Sequence, residues 1–247
     1  MALSRRQKIT IISLLFYWPA LFVLAHIPIP QLVRRAGVSD KSLHFLAYLI
    51  LVFLLWFAIS SDRKVNWRTA RVWWILAVVV LYGLADEFSQ PYVGRTRDAM
   101  DVVANVAGTL TGLILFSVLT FWPASLLVTG TVIFGITNIA RANLAELLPM
   151  ANAMFHLFAY AIFTTLWAQY MHLFLSVRGP NVRWLISALA VPTLLLFTVK
   201  LFSVILGRNL AMADIIISVG GIAAVVAPTY LTGLFDRTQA TKDSARV

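Results

Sequence analysis

Long apolar runs alternate along the chain with short polar breaks. The runs cover about Ile9–Ile27, Leu43–Ser60, Val72–Gln90, Ala99–Trp122, Ser125–Ala140, Ala153–Leu175, Trp184–Leu206 and Leu210–Phe235. Roughly 20 apolar residues are what a helix needs to cross the hydrocarbon layer, and there a helix satisfies its own backbone hydrogen bonds. The pattern predicts an all-α fold: a polytopic membrane helix bundle of about eight transmembrane helices. Pro28, Pro30 and Gly37 beside Arg34 and Arg35 mark a short surface segment, Pro91 to Thr96 a tight turn, and Pro123 a restart. Arg5, Arg6 and Lys8 precede the first run like the charged start of a signal peptide. No small-residue cleavage site follows, so a retained first helix is expected, kinked at Trp18-Pro19.

Composition sharpens this reading. The 247 residues are 60% hydrophobic and 12% charged, with mean hydropathy +0.85, whereas a soluble domain carries roughly a quarter charged residues. A single water-facing globule and a disordered chain are excluded. With no Cys, so are a disulfide-stapled module, thiol catalysis and thiolate metal sites. The net charge of +10 has no basic helix face or aromatic-basic module to suit nucleic acid, so membrane lipids are the expected partners. With both termini cytoplasmic, Arg5, Arg6, Lys8, Arg63, Lys64, Arg68, Arg71, Arg178, Arg183, Arg237, Lys242 and Arg246 lie inside. That is twelve of the 20 basic residues, a moderate positive-inside bias.

A shift of about 112 residues brings landmarks of the first half onto the second. His44 meets His156, Tyr48 meets Tyr160, Gly94-Arg95 meets Gly207-Arg208, Asp101 meets Asp214 and Gly108 meets Gly221. Other positions change type: Glu87 meets Lys200, Asp40 meets Asn152, and Asn105 meets Ser218. The expected organisation is two four-helix repeats, 1–122 and 123–235, with a polar cytoplasmic tail over 236–247. An even number of spans per half makes the repeats parallel, placing both motif sets at the same membrane face.

Ionisable side chains in a membrane helix cost about 2.5–3.5 kcal/mol at mid-span and mark a functional hypothesis. Three helix ends of the first half carry them. Asp40, His44 and Tyr48 share one face at i, i+4, i+8, with Lys41 beside them. Asp40 equally suits an N-cap. Glu87 and Gln90 share a face with Gly83, Asp86 lying alongside. Glu87 reads as a proton acceptor or as an ion-pair partner of Arg95 or Arg97. Arg97, Asp101, Asn105, Gly108 and Gly112 form a stripe, with Asp98 next to it, and Arg97 is one turn from Asp101 and can pair with it. Gly108-x-x-x-Gly112 also permits close helix packing. Glu87, His44 and Asp101 are the candidate catalytic groups. Lys41, Tyr48, Gln90, Arg95, Arg97, Asp98 and Asn105 are the candidate ligand-binding groups. His44, Glu87, Asp98 and Asp101 carry nitrogen and oxygen donors, but no tight ligand spacing such as His-Glu-x-x-His is present, so no metal or other cofactor is expected. The arginines suit phosphate or carboxylate. A buried network that only fixes helix packing is the structural alternative.

The order Asp40-Lys41-x-x-His44-Phe45-x-x-Tyr48, Tyr82-Gly83-x-x-x-Glu87-x-x-Gln90 and Arg95-x-x-Asp98-x-x-Asp101-x-x-x-Asn105-x-x-Gly108 resembles the VanZ-like family of bacterial membrane proteins. The second half resembles a degenerate copy, with Lys200 in place of Glu87. The resemblance implies a multi-pass protein of the bacterial cytoplasmic membrane with a role in the cell envelope, in a family named for resistance to a glycopeptide antibiotic. The expected function is an outward-facing polar site that acts on or binds a lipid headgroup or lipid-linked glycan. The alternative is a non-catalytic resistance or lipid-binding factor.

Overall fold

The computed structural model describes residues 3–26, 40–60, 62–94, 97–139, 148–175, 181–208 and 210–244, the side chains of Asp40 and of 236–244 excepted. The surface segment expected around Pro28–Gly37 and the side chain of Arg95 lie outside these residues. Among the described residues there are eight α-helices and no strand. They are α1 (Arg5–His26), α2 (Asp40–Ser60), α3 (Ala70–Ser89), α4 (Ala99–Val118), α5 (Phe121–Asn138), α6 (Pro149–Phe174), α7 (Val182–Ile205) and α8 (Met212–Ser244). All except α6 are long and apolar enough to cross a membrane. In α6, 26 residues long, Asn152, His156, Thr164, Thr165, Gln169 and His172 dilute the apolar sequence. Helix starts follow local chemistry. The Asp98 side chain accepts from the Met100 N–H ahead of α4, and Asn181 accepts from the Trp184 N–H ahead of α7. Pro149 opens α6, where a missing N–H is harmless. The helix of α1 continues through Pro19.

The chain forms two compact units, Met1–Ala142 and Asn143–Val247. In the first, α2 is the central helix: Tyr48, Leu49, Leu51, Val52, Trp56 and Phe57 are buried around its whole circumference. Its most extensive neighbour is α4, because Gly108 and Gly112 remove the side chains that would hold the helices apart. A Cβ on Gly108 would collide with the Phe45 carbonyl oxygen, and one on Gly112 with Val52. Helix α1 is tied to α2 by Tyr17, whose hydroxyl donates to the Ala47 carbonyl at 2.9 Å. Helix α5 also packs on α2, with Leu46 seated against Gly135. This unit therefore reaches past residue 122, where the sequence pattern places the repeat boundary, and takes in α5.

Two ends of the first unit are chemically distinct. At one, Asp62 accepts from Arg6 at 2.9 Å and from the Phe121 N–H at 3.1 Å, among the basic residues Arg63, Lys64, Arg68 and Arg71. At the other end α1 and α3 finish while α2 and α4 begin, and there the polar side chains gather. The chain leaves α3 through a 3-10 turn, Gln90–Val93, that closes on Gly94 at φ 76°, a left-handed conformation glycine adopts without strain. In the second unit α6 packs most extensively on α8, and α7 contacts both. Gly207, at φ 69°, follows α7 as Gly94 follows α3. A Cβ on Gly221 would collide with the Leu157 carbonyl oxygen.

Candidate functional site

The polar end of the first unit is assembled from three helices. Helix α2 contributes Lys41, His44 and Tyr48; the end of α3 contributes Asp86, Glu87 and Gln90; α4 and its cap contribute Asp98, Asp101 and Asn105. Asp86, Glu87, Gln90, Asp101, Asn105, His44 and Tyr48 are all buried. The His44 Nδ1 lies 3.0 Å from Asn105 Oδ1. An amide oxygen only accepts, so Nδ1 carries a proton and donates it, which fixes the ring. The other nitrogen, Nε2, faces Asp101 Oδ2 at 3.7 Å. Gln90 donates through Nε2 to Glu87 Oε1 at 2.8 Å, while Glu87 Oε2 accepts from the Asp98 N–H at 3.2 Å. Both carboxylate oxygens of Glu87 are thereby oriented.

Lys41 forms the rim. Its ammonium donates to Asp98 Oδ2 at 2.5 Å and lies 3.7 Å from Asp101 Oδ1. The Lys41 ammonium, and then the Met100 N–H, hold the Asp98 carboxyl below the usual carboxylate range. Arg97 is placed elsewhere. Its guanidinium donates to the Phe88 carbonyl at 3.3 Å and rests over the Phe88 ring, 4.9 Å from the centroid. The pair expected between Arg97 and Asp101 is not formed, and Lys41, from another helix, lies beside Asp101. Stacking on an exposed ring serves the guanidinium because its flat, weakly hydrated face packs well there.

His26 is a member that the motif spacing does not single out. It ends α1, with Nε2 2.7 Å from Ser89 Oγ and Nδ1 3.6 Å from Asp86 Oδ1. A lone histidine in the last turn of an otherwise apolar span was the available signal. Around the cluster the deeply buried Tyr48 OH, Asn105 Nδ2 and Gln90 Oε1 have no hydrogen-bond partner among the described residues. Their residues are only 1%, 1% and 0% exposed. Gly83 leaves room for two of them, since a Cβ there would sit 3.2 Å from both Asn105 Nδ2 and Tyr48 OH.

His44, Glu87 and Asp101 each present a ligand-capable atom within 4.8 Å of the other two. Atoms bound to one ion at about 2.1 Å are at most about 4.2 Å apart, so modest side-chain movement brings the three to ligating distance. Each comes from a different helix, which is why no ligand spacing is visible in the sequence.

The second unit builds a related cluster. His156 Nδ1 lies 3.2 Å from Ser218 Oγ, and its Nε2 lies 3.5 Å from Asp214 Oδ2. Here Lys200 donates to the same Asp214 oxygen at 3.1 Å, and Asn152 Nδ2 donates to the other at 2.7 Å. Tyr160 is fully buried, as Tyr48 is.

These features define a class: a polytopic helical membrane protein with a buried, acid-rich polar cluster where four helix ends meet. Residues 5–121, just under half of the chain, match the sequence profile of the VanZ/LLP1 family, which assigns this segment to the VanZ-like family. The match covers every residue of the first cluster and ends before the second. Comparison with curated proteins and with solved structures finds no match.

Proposed function

We propose that the first cluster receives the headgroup of a membrane lipid or a lipid-linked glycan at the outer face of the bacterial cytoplasmic membrane. The observation that carries this reading is the convergence of His44, Glu87 and Asp101 with the unpartnered atoms of Tyr48, Gln90 and Asn105 at one end of a membrane bundle. Carboxylates and amides suit the hydroxyls of a sugar or polyol, and buried polar atoms gain most from a ligand that satisfies them. Lys41 and Arg97, both exposed at the rim, offer positive charge to a phosphate where the headgroup layer begins. The basic opposite end supports cytoplasmic termini.

Native mass spectrometry of the purified protein tests this reading. An anionic or glycosylated lipid should stay bound to the wild type and be lost from a Tyr48→Phe, Asn105→Ala double variant that remains folded. Equal retention by both removes the proposal. A lipidomic comparison of cells with and without the protein then names the lipid. If Glu87 serves as a base for a reaction on that headgroup, Glu87→Gln retains the lipid and blocks its conversion.

A further inference from the structure

The two clusters share a histidine beside an aspartate and differ in the third group, a lysine in one and a second carboxylate in the other. In both, a histidine donates through Nδ1 to a partner on the helix that carries the aspartate, leaving Nε2 turned toward that aspartate. In the second unit the Lys200 ammonium, 8% exposed, sits 3.1 Å from Asp214 Oδ2. In the first unit the position of Lys200 is held by Glu87, which adds a second buried carboxylate where the other cluster has an ammonium. Lys41 lies 3.7 Å from Asp101 Oδ1 and pairs with Asp98 at 2.5 Å.

We infer that His44 Nε2 and the carboxylates of Glu87 and Asp101 bind a divalent cation of the Mn²⁺ or Zn²⁺ kind. One imidazole and two carboxylates without a thiolate suit such ions. The surroundings fit as well. Asn105 fixes the ring of His44 through the nitrogen that does not ligate, as outer partners of metal-bound histidines do. Gln90 and the Asp98 N–H orient Glu87. The unpartnered Gln90 Oε1 and Asn105 Nδ2 belong to amides already touching Glu87 and His44, and Tyr48 OH adjoins Asn105 Nδ2 across Gly83. They are placed to hydrogen-bond ion-bound water. The ion and the headgroup would share this pocket, and the ion requires only the ligand atoms of His44, Glu87 and Asp101.

The test uses the full-length protein in detergent, stripped with a chelator and titrated with Mn²⁺ under electron paramagnetic resonance, with Zn²⁺ as competitor. One Mn²⁺ per chain is expected, displaced by Zn²⁺, with nitrogen coupling from His44 in the pulsed spectrum. Glu87→Gln and Asp101→Asn should each weaken binding at least tenfold, Asn105→Ala by about 10–100-fold, and Asp214→Asn should leave it unchanged. Glu87→Lys, which copies the second cluster, should fold and bind no Mn²⁺. The inference is overturned if the wild type takes up neither metal, if the bound Mn²⁺ lacks nitrogen coupling, or if Asp214→Asn weakens binding as much as Asp101→Asn. The first two results need no variant to fold. They would leave the lipid-retention test untouched.

Discussion

Set side by side, the clusters around His44 and His156 show how one exchange alters what a buried polar site requires. Each has a histidine turned toward an aspartate, a buried tyrosine, and a glycine where a Cβ would collide with a backbone carbonyl of the helix that carries the histidine. Around His156, Lys200 and Asn152 engage both oxygens of Asp214, so that aspartate is satisfied by neighbouring side chains, while the Tyr160 hydroxyl, like that of Tyr48, has no partner among the described residues. Around His44, Glu87 stands in place of the lysine, and Tyr48, Gln90 and Asn105 keep unpartnered atoms. The first cluster holds carboxylate charge and polar capacity that a ligand can use. A membrane helix with such groups carries a cost, which the proposed ligand would offset.

The comparison can be broken most forcefully at Lys200. Lys200→Met leaves Asp214 buried without its ammonium, which should cost roughly 3–5 kcal/mol, as loss of one partner of a buried pair does. Thermal unfolding in detergent reads this, and a loss below about 1 kcal/mol would show that Lys200 does not satisfy Asp214. Next come Gly108→Ala and Gly221→Ala, whose new methyl groups meet backbone that cannot swing aside. Each should cost about 1–3 kcal/mol by overpacking. Gly108→Ala should also impair lipid retention, because α2 and α4 carry His44 and Asp101, whereas Gly221→Ala should spare it. Glu87→Gln should change stability by less than about 1 kcal/mol, since the amide keeps a hydrogen-bonding shape and removes one buried charge. Lys41→Ala should have the smallest effect on unfolding, because the ion pair with Asp98 lies in solvent reach. The Asp98 carboxyl is held low, so what the pair contributes is present at neutral pH and lost as the pH falls through that lowered value. A melt of Lys41→Ala that differs from wild type at neutral pH and converges on it in acid checks the sign.

Much of the site was legible before any coordinates, and the particular residues explain why. His44, Glu87, Asp101 and Asn105 stand out because a polar residue in an apolar run has to have a reason. Their sharing of one membrane end follows from the alternating direction of successive spans. Other features were not legible. Arg97 is one turn from Asp101 on the same helix, yet it turns to Phe88 while Lys41, from another helix, takes the place beside Asp101. His26 joins through Ser89 and Asp86 on α3, a connection that spacing within α1 does not contain. Helix α5 lies past the boundary that the repeat pattern suggests, but Gly135 seats Leu46 and Ala124 and Val128 join the core around α2. The three possible ion ligands come from three helices, so local spacing hides them.

The sequence alone determined that this chain lives as a bundle of membrane helices, because about 20 consecutive apolar residues have few other stable uses. It also determined which residue types stand at each helix end and that the second half lacks the acid of the first. Only the tertiary structure decided which of those groups meet. That choice depends on how each helix is rotated against its neighbours, and the rotation is set by close contacts such as Gly108 on the Phe45 carbonyl. A different rotation of α4 about its own axis would take Asp101 away from His44, and nothing in the order of residues along one helix fixes that angle.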